Sequence, residues 1–110
     1  MTVGELCDSG KFKVINRGED TDRQIGAVFC CDLLSIAMSR GIEDAAWVTV
    51  MGNINTVAVM ALTDMALIVL AEGVQMDAPG LAKAQEEGST VLASDKPIFD
   101  IALEIHELIA

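Results

Sequence analysis

The sequence predicts an α/β protein, a three-layer α/β/α sandwich around a mainly parallel sheet of four or five strands. Short apolar runs are each followed by a helix-like segment, and this unit recurs roughly every 20 to 24 residues. The runs lack polar alternation, which is typical of strands covered by helices on both faces. Because no sequence repeat accompanies the units, they indicate right-handed βα units and not a solenoid. The 110 residues fit a single domain over 1–110.

The N-terminal segment predicts one helix and one strand. Thr2 and Glu5 form a T-x-x-E capping box, which predicts a short helix over 3–9 that ends at Gly10. Apolar residues over 12–15 indicate a first strand.

The next segment contains the first strand-then-helix unit. The β-rich apolar run over 25–31 predicts a strand, and 32–40 predicts a helix with Asp32 as N-cap and Gly41 at its C-terminal end. A further apolar run over 46–51 predicts the third strand.

The second half of the chain predicts two strands and three helices. The helix over 78–87 has clear signals at both ends. Asp77 is its N-cap, Pro79 lies in its first turn and Gly88 ends it. The predicted segments are a helix over 55–63, a strand over 66–71, a helix over 78–87, a strand over 90–93 and a helix from near Pro97 to about Ile109.

Composition excludes several classes of protein. Hydrophobic residues make up 52% of the chain, too many for a disordered protein. The formal charge is −10, and aromatic residues make up only 4%, which argues against nucleic acid and anionic membranes as partners. The longest apolar stretch, 57–71, is interrupted by Thr63 and Asp64 and is shorter than the roughly 20 residues of a membrane helix. With no signal-peptide pattern, we expect a soluble, cytoplasmic protein.

The three cysteines, Cys7, Cys30 and Cys31, indicate a reduced protein with buried thiols, because adjacent cysteines cannot bridge each other without strain. A thiol-based redox role for Cys30 and Cys31 is an alternative. A metal site formed by these two residues and His106 fits zinc-ligand spacing poorly, so we expect no metal and no cofactor.

Candidate binding residues follow the predicted strands, because ligands bind beyond the carboxyl ends of parallel strands. The stretch from Gly52 to Asn55 is the strongest, since glycine permits close approach and a helix start offers free N–H groups. The alternative is that Asn53 or Asn55 only caps that helix, as Asp32 caps its own. The candidates are Asp32, Gly52, Asn53, Asn55, Glu72, Gly73, Ser94 and Asp95.

No residue is predicted to be catalytic. The chain contains neither a phosphate-binding loop nor a G-x-S-x-G elbow. Ser35 has no base near it in the sequence. His106, the one histidine, lies among apolar residues of the last helix, where a structural or surface role is expected.

Several stretches, in this order along the chain, resemble the small stand-alone DRTGG-domain proteins, and Asp22–Gly26 is a degenerate form of the family's naming motif. The resemblance implies a fold like the N-terminal domain of HPr kinase/phosphorylase and a regulatory role, often beside hydrogenase or redox-signalling genes. The family's "serine kinase" label does not transfer, because the phosphate loop of HPr kinase lies in a different domain. The matching stretches are Cys31–Ser35, Trp47–Val50, Asn55–Val59, Ala66–Val69 and the segment from Glu72 to Ser94.

These observations predict a non-enzymatic regulatory or scaffold module that forms a homodimer. Apolar residues of the final helix cover more than one buried stripe, which favours an oligomer contact there. The alternative is a sensor for a small ligand, either a nucleotide or another phosphate compound. A phosphotransferase is a remote alternative. The apolar residues are Ile101, Leu103, Ile105, Leu108 and Ile109.

Overall fold

Five strands form one mixed sheet in the computed structural model, which describes residues 1–110. The strand order is β1-β5-β4-β3-β2, with β2 to β5 parallel and β1 antiparallel to β5. The predicted mainly parallel sheet is therefore confirmed. The strands are β1 (Lys13–Asn16), β2 (Ala27–Cys30), β3 (Ala45–Thr49), β4 (Leu67–Leu70) and β5 (Val91–Ala93).

Helices cover both faces of the sheet, as an α/β/α sandwich requires. The three helices that connect the parallel strands pack on one face, and the first and last helices pack on the other. None of the helices is long and apolar enough to cross a membrane. The helices are α1 (Val3–Asp8), α2 (Leu34–Arg40), α3 (Ile54–Thr63), α4 (Ala78–Glu87) and α5 (Ile98–Ile109).

The core consists of two apolar clusters separated by the sheet. In β3, Trp47 faces the cluster under α2, α3 and α4, while Val48 faces the cluster under α1 and α5. Every residue of β3, β4 and β5 is buried. This burial on both faces explains why the strands lack polar alternation in the sequence.

Side-chain caps set the helix starts at several predicted positions. The Thr2 backbone N–H donates to Glu5 Oε1 at 2.9 Å, and the Glu5 N–H donates to Thr2 Oγ1 at 3.1 Å, which completes the capping box. Asp77 accepts from the Gly80 N–H at 2.8 Å, and Gly88 ends α4 in a left-handed conformation with φ 68°.

The prediction that Asp32 caps α2 is wrong. The helix begins at Leu34, and Leu33 takes the cap position without a side-chain hydrogen bond. Asp32 Oδ1 instead accepts from Thr49 Oγ1 at 2.7 Å and from the Val50 N–H at 2.9 Å. The buried Thr49 hydroxyl needs a partner, so Asp32 joins the ends of β2 and β3.

The connection from β1 to β2 crosses the amino ends of the parallel strands, because these two strands form opposite edges of the sheet. Arg23 anchors this crossing. Its Nε lies 2.7 Å from Asp44 Oδ1, its Nη1 lies 3.1 Å from Asp64 Oδ1, and its Nη2 donates to the Asp64 carbonyl. Both aspartates precede strands in left-handed conformations, with φ 66° and 57°. The segment Asp22–Gly26 therefore holds the strand starts in place.

Candidate functional site

The predicted binding residues separate into two groups at the carboxyl ends of the strands. Gly73, Ser94 and Asp95 line a cleft of about 630 Å³ at the ends of β4 and β5. Asp32 and the stretch 52–55 lie after β2 and β3 and line none of the three cavities of the chain.

Three lysines line this cleft, which we call the lysine cleft. Because β1 runs antiparallel to β5, the start of β1 lies at the carboxyl end of its neighbour and brings Lys11 and Lys13 beside Lys96. These are three of the four lysines of the chain, the other being Lys83 on α4. The full lining is Gly10, Lys11, Phe12, Lys13, Ile15, Gly73, Val74, Gln75, Ala93, Ser94, Asp95 and Lys96.

Backbone hydrogen bonds join the two loops on one side of the cleft. The Glu72 N–H donates to the Lys96 carbonyl at 2.9 Å, and the Gly73 N–H donates to the Ser94 carbonyl at 3.1 Å. The Lys96 N–H donates to Ser94 Oγ at 3.1 Å. Glu72 contributes through its backbone, since it is exposed and outside the cleft lining.

Gly73 allows this close arrangement of loops. Its φ is 72°, a conformation that favours glycine, and an added Cβ would lie 3.1 Å from Asp95 Oδ1. The Asp95 carboxylate therefore approaches the backbone of the neighbouring loop at the cleft wall.

The cleft carries more positive than negative charge within an acidic chain. Asp95 is the one acidic residue in its lining, against three lysines. Lys13 makes no ion pair, and the ammonium groups of Lys11 and Lys96 lie 3.9 and 3.6 Å from the Glu104 carboxylate on α5. Both distances are longer than a hydrogen bond, so neither lysine is held by a hydrogen bond to Glu104. Lys11 and Lys96 can therefore turn toward an anion in the cleft.

At the start of α3, Asn53 is a helix cap. Its Oδ1 accepts from the N–H groups of Asn55 and Thr56 at 2.9 and 3.1 Å, which confirms the capping alternative for Asn53. An added Cβ on Gly52 would lie 2.5 Å from the Gln75 carbonyl oxygen. The close approach at Gly52 is thus made by the chain's own loop.

The expectation of buried thiols holds for Cys7 and is wrong for Cys30, which is exposed because β2 is an edge strand. Desolvation by the surrounding protein and the negative charge of Asp32 raise the pKa of Cys30, which disfavours its thiolate. No three His, Cys, Asp or Glu side chains group as a metal site would require. The redox role of Cys30 and Cys31 stays a hypothesis that native thiol labelling tests.

Sequence reasoning missed Lys11 and Lys13. It placed candidates only after predicted parallel strands, whereas Lys11 precedes an antiparallel strand and Lys13 is the first residue of that strand. The available signal was the K-x-K pattern at the start of β1 in a chain with only 7 basic residues.

No protein-family model matches this chain, and no curated protein matches it.

Proposed function

We propose that this chain is a cytoplasmic regulatory module that binds a small anionic ligand, a phosphate-bearing metabolite or nucleotide, in the lysine cleft. The observation that carries the proposal is the presence of Lys11, Lys13 and Lys96 in the lining of one cavity of a chain with a net charge of −10. Clustered lysines repel one another, and a bound anion would relieve that repulsion.

The size and lining of the cleft support this proposal. Small-molecule sites commonly enclose roughly 300 to 1,000 Å³ and combine apolar walls with a few polar groups. The volume of about 630 Å³ falls in that range, and Ile15 and Val74 supply apolar surface beside Ser94 and Gln75. An adenine or sugar would contact the apolar part while the phosphate contacts the ammonium groups.

We place this module among non-enzymatic regulators, in line with its resemblance to the DRTGG-domain proteins. Such a module would signal ligand binding to a partner, and hydrogenase or redox-signalling proteins are the partners that the resemblance suggests. Incubation with labelled ATP tests the remote phosphotransferase alternative, and transfer of label to this chain or to a partner would contradict the proposal.

Thermal-shift measurements with phosphate, AMP, ATP and sugar phosphates test ligand binding. A ligand at a hundred times its Kd stabilises the folded state by about 2.7 kcal/mol, which raises the Tm of a domain of this size by more than about 5 °C. Lys13→Gln and Lys96→Gln should abolish most of the shift. Lys83→Gln is the matched control, because Lys83 pairs with Glu87 on α4 outside the cleft. No shift at millimolar ligand, or equal shifts in all variants, would contradict the proposal.

A homodimeric scaffold is the second candidate, favoured by the exposed apolar surface. The predicted contact on α5 needs correction, because Ile101 and Ile105 are buried in the chain's own core and Leu108 and Ile109 pack against it. Only Leu103 of the predicted set is exposed. The exposed large apolar residues are Val14, Leu33, Ile36, Met38, Ile42, Ile54, Leu62, Phe99 and Leu103.

A further inference from the structure

We propose that two copies of this chain associate about a two-fold axis through β2, whose open edge pairs antiparallel with β2 of the second copy. The two sheets then form one continuous sheet. This inference rests on the self-association proposed above and names its surface. It does not depend on what the lysine cleft binds.

The two edges of the sheet differ in how they are protected. At the β1 edge, Lys13 is charged and the register shifts between Val14 and Asn16, and both features discourage pairing with another chain. In β2, the residues Ala27–Cys30 are uncharged, contain no proline and keep a regular register with β3. Met1–Val3 bonds to Arg23–Ile25 on the same side just before β2, so Ala27–Cys30 is the part of this edge that can accept a further strand.

Edge strands leave alternate backbone groups without partners. Since β2 bonds only to β3, every second N–H and C=O of Ala27–Cys30 faces the open edge. An antiparallel copy of the same strand offers donors and acceptors in a complementary arrangement. Self-pairing would therefore satisfy these groups on both copies at once.

An apolar stripe on α2 borders the same edge. The stripe consists of Leu33, at the N-cap, and Ile36, and Arg40 extends it at the C-terminal end of α2. These residues are spaced i, i+3, i+7 and lie on one side of the helix. The right-handed connection from β2 to β3 places α3 on the other side of α2, so this stripe faces outward along the β2 edge. Leu33 is 55% exposed and Ile36 is 48% exposed. A two-fold axis would bring this stripe against the same stripe of the second copy.

On the opposite face of the sheet, α5 presents a matching surface. Glu104 points toward Lys11 and Lys96 at the β1 side, so Phe99 and His106, on the opposite side of the helix, border the β2 edge. Phe99 is 71% exposed. That side of α5 carries no carboxylate, so apolar contact extends across all three layers.

The balance of charge near the β2 edge favours a second copy of this chain as the partner that binds there. Two chains of −10 repel at long range, so they must meet where local charge is balanced. Between Ala27 and Arg40 the charged residues are Asp32 and Arg40 alone. Arg40 makes no ion pair within the chain, and both hydrogen bonds of the exposed Asp32 carboxylate use Oδ1, which leaves Oδ2 free. Antiparallel α2 helices would bring Arg40 beside Asp32 of the partner subunit.

Light scattering coupled to size exclusion tests this interface at micromolar concentration. We expect a dimer for the wild type and a roughly hundredfold or greater weakening for Ile36→Glu and for Arg40→Glu, since each substitution puts two like charges at the two-fold contact. Leu62→Glu is the matched control, because Leu62 is 72% exposed on the middle helix α3 and away from this edge. Circular dichroism checks that each variant is folded.

Amide exchange adds a measurement that needs no mutation. In the dimer, all β2 amides should exchange slowly, whereas dilution to monomer should speed exchange at alternate positions that face the edge and leave those bonded to β3 slow. A dimer that persists in both edge variants, with concentration-independent exchange in β2, would overturn the interface while self-association stands. A wild type that stays monomeric would overturn both.

Discussion

At the residue scale, Arg23 shows how one side chain fixes a long connection. Burial opposes its charge, but hydrogen bonds to Asp44 and Asp64 outweigh that effect and raise the pKa of the Arg23 guanidinium. The planar guanidinium donates to two carboxylates and a carbonyl at once, an arrangement that lysine cannot reproduce. The starts of β3 and β4 are thereby tied to the crossing chain.

Arg23→Ala should therefore destabilise the fold by about 1 to 2 kcal/mol, because the hydrogen bonds of the guanidinium to charged groups are lost, while the exposed carboxylates of Asp44 and Asp64 can bind water instead. Urea denaturation measures this loss. Arg17→Ala is the matched control, because Arg17 pairs with Asp8 on the exposed surface and should cost less than about 1 kcal/mol. Equal costs for the two variants would show that Arg23 does not anchor the strand starts.

At the same scale, Asp32 explains one failure of prediction. An aspartate before an apolar helical segment predicts an N-cap from local sequence alone. The hydroxyl group that donates a hydrogen bond to Asp32 belongs to Thr49, which lies 17 residues away in another strand. Local patterns carry no information about such a partner, so this error was unavoidable.

At the element scale, the capping box of α1 makes stability depend on pH. Hydrogen bonds from the backbone and the side chain of Thr2 lower the pKa of Glu5. A lowered folded-state pKa contributes stability that is present at neutral pH and is lost as pH falls through that pKa.

The difference in unfolding free energy between wild type and Glu5→Gln should thus be largest near pH 7 and shrink below about pH 4. Denaturant titrations across this range measure the difference. A difference that does not change with pH would mean that the Glu5 charge does not stabilise the start of α1.

Element identities were predictable because caps and apolar runs are local features. The helix Ala78–Glu87 matches its predicted bounds, since Asp77 and Gly88 mark both ends. The direction of β1 was not predictable, because the sequence of a short edge strand does not indicate whether it runs parallel or antiparallel to its neighbour. Without the direction of β1, the sequence did not show that Lys11 and Lys13 lie beside Lys96 in the lysine cleft.

At the scale of the whole molecule, the acidic and apolar composition separates by location. Apolar residues fill two clusters on the two faces of the sheet. Three of the lysines gather at one cleft, and uncharged residues line the open β2 edge. A sheet with one protected edge and one open edge suits a module that binds a ligand beside β1 and a second copy beside β2.

The most direct test of the lysine cleft is an NMR titration of the ¹⁵N-labelled protein with ATP and with inorganic phosphate. Binding in this cleft predicts saturable amide shifts in 10–13, 73–75 and 93–96, and their loss in Lys13→Gln. Shifts confined to 52–55 at the start of α3, or no saturable shifts at millimolar ligand, would contradict the account.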